Sequence, residues 1–224
     1  SIQKRLFLTA TPRHYNLNKR NKEGDFDLAY SMDNPDVYGK IAHQLSFAVA
    51  ARQNIICNYK VIISVVTSEH VSKELLKRGE VLINGDVVNA QLVAHQIAFK
   101  EAIEKYNIKR IFTFHKSVAT AKSFTGKDSE GIRTQLPEFN AFHVNGTMTT
   151  AKREEIMNEF KNSESSVISN ARCLTEGVDL PAVDMVAFMS PKKSKVDIVQ
   201  ATGRAMRKDP HNPEKTLGYI LVPL

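Results

Sequence analysis

Cysteine is almost missing from this 224-residue sequence: Cys57 and Cys173 stand far apart, with no CxxC or Cys/His ligand spacing. That excludes a zinc framework or a disulfide scaffold, so no metal site is expected. It also fits a reducing compartment, with both thiols read as small core residues. No apolar run approaches the ~18 residues needed to span a bilayer, and no signal peptide is visible. The expectation is a cytoplasmic protein with no membrane partner. Also missing are a GxxxxGK[ST] loop and a DExx acidic motif, so the chain has neither a phosphate cradle nor a carboxylate placed to hold Mg²⁺. This argues against a self-sufficient nucleotide-binding regulator. Acidic residues are outnumbered, 24 against 31 Lys and Arg, leaving a formal charge of +7 and a pI near 9.3. Such a balance favours an acidic partner such as nucleic acid. Hydrophobic content of 42% and charged content of 25% are ordinary for a globular protein.

What is present is an alternation of apolar runs and amphipathic stretches. Residues 5–11 (RLFLTAT) read as a buried strand ending at Pro12, and the basic stretch 13–24 as a linker. Residues 38–54 have helical spacing. Residues 59–67 (YKVIISVVT) are β-branched on both faces, as in a covered parallel strand. Helices are expected at about 69–78 and 86–106. The alternation then becomes regular. Strands are expected at 110–115, 141–144, 165–169, 185–189 and 217–222, with helices at 118–124, 149–161 (capped by Thr149) and 194–208. The polar segment 126–139 reads as a surface insertion. Strands alternating with helices imply right-handed crossovers and a mainly parallel sheet. Ligands of such sheets sit at the carboxyl ends of the strands, where 9–11, 115–117, 145–147 and 170–179 collect.

The last helical stretch, SKVDIVQATGRAMRK at 194–208, carries the most pointed chemistry. Gln200, Arg204 and Arg207 fall at i, i+4 and i+7, so they share one face. Two guanidiniums and an amide make a donor array suited to a polyphosphate. Gly203 beside them allows close approach, at roughly 1 kcal/mol of helix cost against Ala. Both cationic tips are expected to point into an open crevice at the ligand edge of the sheet. In SNARCLTEGVDLP (169–181), Asp179 follows the turn at Gly177, where its carboxylate either caps locally or accepts from ribose hydroxyls.

TAT (9–11), TEGVDLP (175–181) and QATGRAMR (200–207), in that order, resemble motifs III, V and VI of superfamily 2 helicases and translocases. FTFHKS (112–117) is similar to motif IV, and HVNGTMTTAKREEIMNEF (143–160) to the strand-turn-helix element after it. The run 170–208 is closest in character to restriction-type and helicase-associated-domain proteins. It is less like the DEAD-box branch, whose last motif usually starts with His where Gln200 stands.

The resemblance implies an α/β fold: a three-layer RecA-like (P-loop NTPase-like) domain with helices on both faces of a mainly parallel sheet. Residues 1–30 would end the first RecA-like domain and lead, through a linker, into the second, 31–224. The expectation is therefore a piece of a longer protein, partnered by the N-terminal RecA-like domain of the same polypeptide. Arg204 and Arg207 would act as arginine fingers and Gln200 would orient them. Gly177 and Asp179 would meet the ribose, and Thr9 and Thr11 would transmit closure. Nucleic-acid backbone contacts would come from exposed donors at Lys116, Ser117, Asn145, Gly146, Thr147, Arg153, Asn170, Arg172 and Thr175. His115 and His143 are read as structural. ATP and Mg²⁺ would be the cofactors of the longer protein, and this chain alone would not turn over ATP. DNA is preferred to RNA on Gln200 and the restriction-like run. An RNA helicase of the same superfamily and a non-enzymatic nucleic-acid-binding module with a degenerate helicase fold stand as the alternatives.

Overall fold

A computed structural model describes residues 4–9, 12–20, 26–32, 34–77, 87–126, 131–171, 183–190, 195–210 and 212–223. In chain order the elements are β1 (Arg13–Arg20), β2 (Phe26–Ser31), α1 (Pro35–Tyr38), α2 (Phe47–Arg52), β3 (Asn58–Ser64), α3 (Ser68–Lys77) and α4 (Val87–Tyr106). They continue with β4 (Arg110–Phe114), α5 (Val118–Phe124), a 3-10 turn at Ile132–Thr134, β5 (Asn140–Asn145), α6 (Thr150–Asn162), β6 (Ser166–Ala171), β7 (Met185–Phe188), α7 (Lys195–Ala205) and β8 (Leu217–Pro223). Six strands form one sheet in the order β3-β8-β7-β4-β6-β5, and every neighbouring pair is parallel.

The two-residue side-chain period of the strands sorts the core into two layers. Phe112, Ile168, Val186 and Ile220 face α6 and α7, packing on Phe160, Met157, Ala201 and Met206. Ile111, Val167, Met185 and Leu221 face the other way, against Phe99 and Ile103 of α4 and Phe124 of α5. The result is the three-layer α/β sandwich with a parallel sheet expected from the sequence. The α5 and α6 starts are set by side-chain caps: Ser117 forms a capping box with Thr120, and Thr149 accepts from the Lys152 amide. Such caps are worth about 1 kcal/mol each.

Several local readings are corrected. Residues 4–9 form no strand and are exposed, Leu6 by 75%. Phe7 has an edge-to-face contact with Tyr38, 5.0 Å between ring centres. The basic stretch expected as a linker contributes β1, antiparallel to β2. The helix expected over 38–54 is broken: Gly39, at φ +79°, ends α1, and Ser46 caps a new start at α2. β3 lies at the edge of the sheet, and the face carrying Tyr59, Val61 and Ile63 is exposed, so its apolar residues are not covered on both faces. Ile62 packs inward while Ile63 is 63% exposed. Residues 131–139 of the segment expected as a surface insertion are no excursion, since Ile132, Leu136 and Phe139 are buried in the core. Arg133 ties them down by donating to the Thr125 and Ala141 carbonyls. An apolar pattern cannot distinguish an edge strand from a central one, because neighbours in the sheet are chosen by the whole topology.

Candidate nucleic-acid edge and phosphate-directed helix

Two groups of expected site residues occupy opposite ends of the sheet. The first lies where the strands exit. The Lys116 side chain is exposed, and its backbone amide donates to Ser190 Oγ at 3.2 Å. The Ser117 hydroxyl is taken up by the α5 cap. Beyond β5, Asn145, Gly146 and Thr147 form a tight turn. Asn145 Oδ1 accepts from the Thr147 amide at 3.0 Å and from its hydroxyl at 2.7 Å. Arg153, half-buried, projects from the first turns of α6.

Asn170 departs from its expected role. It is 0% exposed, and its Nδ2 donates to the Thr113 carbonyl at 2.9 Å, bracing β6 against β4. An inward-facing position on a central strand has no path to a phosphate, so Asn170 is corrected to a sheet-bracing residue. Its Oδ1 has no hydrogen-bond partner. His115 is buried, shares a 2.9 Å hydrogen bond with Thr113 Oγ1 and packs on Phe124, as a structural histidine would. Thr9 is exposed and belongs to no strand. Thr11, Arg172, Thr175, Gly177 and Asp179 lie outside the described residues, as does Cys173.

The second group rides on α7. This helix runs back against the strands, so its last turn reaches the amino ends of β3, β4 and β8, not their carboxyl ends. The Cys57 amide, just before β3, donates to the Met206 carbonyl at 2.9 Å. Lys215, just before β8, sends its Nζ to the carbonyls of Ala205 at 2.9 Å and Arg207 at 2.6 Å. A buried ammonium thereby caps the negative end of the helix dipole. Burial, aided by Arg110, lowers the Lys215 pKa, opposed in part by the nearby carboxylates of Asp184 and Asp209. Arg110, at the start of β4, pairs with Asp209 at 3.2 Å. Gly218 is required by this packing: a Cβ there would sit 2.2 Å from the Ala205 carbonyl oxygen. The end of α7 that carries Arg204 therefore lies at the amino edge of the sheet, not at the carboxyl edge where both arginine tips were expected. A helix returning from one parallel strand to the next must end where the next strand begins.

Arg204 is only 8% exposed, and its Nε has no hydrogen-bond partner among the described residues. No ion pair reaches it among the described residues. Burial, then repulsion from Arg207, pull its pKa down to about 10. Gln200 Oε1, one turn earlier, is likewise buried without a partner. Arg207 is exposed. A Cβ at Gly203 would meet nothing within 4 Å among the described residues, whose packing gives no steric reason for glycine there. Buried polar atoms normally find partners, and a buried cation is costly without an anion. This face of α7 has the donors, the charge and the room for an anionic group. Among the described residues no cluster of His, Cys, Asp or Glu could hold a metal ion, and no helix is long and apolar enough to cross a membrane.

Sequence reasoning missed Lys215, Gly218 and a polar chain through His143 (His143 Nδ1 to Ser169 Oγ, 3.1 Å). Lys215 lies eight and ten residues beyond the carbonyls it caps, a spacing with no helical or strand periodicity to reveal it.

Comparison with known proteins bears on the family and the fold. The family model described as helicase conserved C-terminal domain matches residues 90–209, more than half of the chain. A probable helicase of African swine fever virus is 24% identical over 219 residues, covering 95% of this chain and 22% of the relative. A putative ATP-dependent helicase of Saccharomyces cerevisiae is 34% identical over 68 residues, 30% of this chain and 10% of that protein. Among solved structures, the ATP-dependent Type ISP restriction-modification enzyme LlaBIII bound to DNA superposes with a TM-score of 0.72 at 28% identity. That match covers 96% of this chain and 15% of the enzyme. The chain thus spans about a fifth of the length of the viral relative. With its motif order, six-stranded parallel sheet and family match in agreement, the chain belongs to the helicase conserved C-terminal domain family, the second RecA-like domain of superfamily 2 helicases.

Proposed function

We propose that this domain is the C-terminal half of an ATP-dependent DNA helicase or translocase motor. In this reading α7 presents Arg204, and the turn just after it Arg207, to the phosphates of ATP held on another RecA-like lobe. The observation that carries it is Arg204: a guanidinium 8% exposed, its Nε unpartnered among the described residues and its charge opposed only by more positive charge. Such a group fits a polyphosphate arriving from outside the chain, and charge stabilisation of this kind is how arginine fingers accelerate phosphoryl transfer. Gln200 would orient that contact. Gly203 leaves space where the opposing lobe would close. ATP with Mg²⁺ would supply the free energy of movement, and the ligands of Mg²⁺ would come from the other lobe.

At the opposite end of the sheet, the donors at Lys116, Gly146, Thr147 and Arg153 would contact a nucleic-acid backbone without reading its sequence. Arg172 and Thr175 would join them, while Gly177 and Asp179 would meet the ribose, and Thr9 and Thr11 would transmit closure. Residues 1–30 are assigned to the end of the first lobe and 31–224 to the second. DNA is preferred to RNA because Gln200 opens the arginine motif and the structural relative at 28% identity is a DNA-bound enzyme. The test is ATP turnover by a longer protein carrying both lobes, with and without single-stranded and duplex DNA and RNA. Arg204→Lys and Arg207→Ala should each remove most DNA-stimulated turnover, and the isolated 224-residue chain should show none. Wild-type rates in both variants would refute the assignment.

A further inference from the structure

The turn after β5 is held by a chain of hydrogen bonds whose donors and acceptors can be assigned without ambiguity. The Thr147 backbone N–H can only donate, and it points at Asn145 Oδ1 from 3.0 Å. The Asn145 amide nitrogen must therefore be the atom facing His143 Nε2 at 3.3 Å. That nitrogen donates, so Nε2 must carry a lone pair. On the other side of the ring, Nδ1 lies 3.1 Å from Ser169 Oγ. The single Ser169 hydroxyl proton goes to the Ala121 carbonyl at 2.6 Å, its shortest contact. Ser169 Oγ is therefore an acceptor towards Nδ1, and also towards Thr125 Oγ1 at 3.0 Å. Only one state of His143 satisfies every bond: neutral, with its proton on Nδ1.

We propose that His143 is a positioning residue for the nucleic-acid-binding turn 145–147, holding the Asn145 amide, and through it Thr147, only while its ring is the neutral Nδ1–H form. Protonation places an N–H opposite an NH₂. Asn145 relieves that opposition by turning its amide over, which gives up the bond from the Thr147 backbone N–H and leaves the Thr147 hydroxyl to accept from Nδ2 where it had donated to Oδ1. The nucleic-acid consequence rests on the function proposed above; the coupling itself does not.

The surroundings favour the neutral ring. Burial lowers the His143 pKa below 6.5, an interaction with the Ser169 backbone partly opposes this, and Lys122 of α5 lowers it further. Lys122 is the charged group facing the ring; Thr125 of the α5 end, Ser169 of β6 and Asn145 of β5 itself are the neutral polar ones. Because the folded pKa is depressed, the stability linked to this ring is present above pH 6.5. It is lost as pH falls through the lower folded value.

The experiment has two arms on the 224-residue chain. Long-range ¹H–¹⁵N correlation of the imidazole rings, with His143 assigned by its loss in His143→Gln, reads tautomer and titration directly. The expected result is the Nδ1–H form at pH 7.5, with the Thr147 amide and Asn145 side-chain signals shifting at the same midpoint as the ring. An Nε2–H or protonated ring at pH 7.5, or a Thr147 amide that ignores the ring's titration, overturns the proposal. The second arm is fluorescence anisotropy with a mixed-sequence single-stranded DNA 20-mer at constant ionic strength, from pH 8 to 5.5. Added positive charge alone would tighten binding on acidification. The proposal instead gives a weakening of roughly fivefold as the ring takes up its proton, the scale of one lost hydrogen bond. His143→Ala should bind about fivefold more weakly at pH 8. His143→Gln, with an amide oxygen near the Nε2 position, should recover most of that loss and keep no acid weakening. Equal pH profiles for wild type and His143→Gln overturn the proposal. If no DNA binds at any pH, the nucleic-acid reading fails while the spectroscopic arm still decides the coupling.

Discussion

Replacing Arg204 by Met should stabilise the isolated domain while disabling the motor. The guanidinium is 8% exposed and its pKa is pulled from 12.5 to about 10, by burial first and by Arg207 second. At 1.36 kcal/mol per pKa unit, that displacement is about 3 kcal/mol against the charged form. Residual water contact and relaxation around the head group reduce this, so a gain of about 1–2 kcal/mol is the working figure. Met retains an unbranched apolar stem in the Arg204 position, so little packing is lost. For a chain of this size the gain corresponds to about 3–6 °C in Tm. The pH dependence has a definite sign. Below about pH 10 the arginine is charged both folded and unfolded, so the gap between variant and wild type should be flat from pH 6 to 9. As pH rises past 10 the folded wild type sheds the proton first, and the gap should close. Thermal and urea unfolding followed by circular dichroism measure the gap, and DNA-stimulated ATPase of a two-lobe protein measures function. A variant less stable than wild type at pH 7.5 would show that Arg204 is already compensated within this chain, and the phosphate-directed reading would lose its basis.

Gly203→Ala separates stability from closure: with open space around the new Cβ, the isolated chain should gain up to about 1 kcal/mol of helix propensity. The same substitution should slow turnover in the two-lobe protein, if the space is filled on closure. Gly218→Ala should cost about 3 kcal/mol or more in urea unfolding, because its Cβ would lie 2.2 Å from a backbone oxygen that cannot swing aside. Lys215→Met removes both capping bonds of α7 and should cost about 1–2 kcal/mol near neutral pH. Because burial depresses the folded Lys215 pKa, wild-type stability should rise with pH between that value and 10.5. That rise should be missing in the Met variant.

The sheet was legible because its central strands are short apolar runs bounded by helices with visible caps. Thr149 caps α6, and α5 spans 118–124 as read from the sequence. The sequence reading failed where a partner outside the local pattern decides the outcome. Residues 5–9 look like a strand but join neither sheet. Arg13–Arg20 looks like a linker but pairs with Phe26–Ser31. Asn170 looks like an exposed donor because it is polar at the end of a strand, yet the position faces inward between β4 and β5.

By itself, the order of residues determined the alternation of strands and helices, the two-sided core and the placing of Gln200 and Arg204 one turn apart, whereas Arg207, expected on the same helical face, lies past the end of α7 at Ala205. Those three follow from fixed periods of 2 and 3.6 along the chain, which need no knowledge of distant contacts. Only the tertiary structure decided that the end of α7 carrying Arg204 lies at the amino side of the sheet, that Arg204 is buried without an anion, and that His143 must be neutral. Each of these depends on atoms brought together from far along the chain. Burial, dielectric and donor matching are properties of the assembled surroundings and not of any one segment.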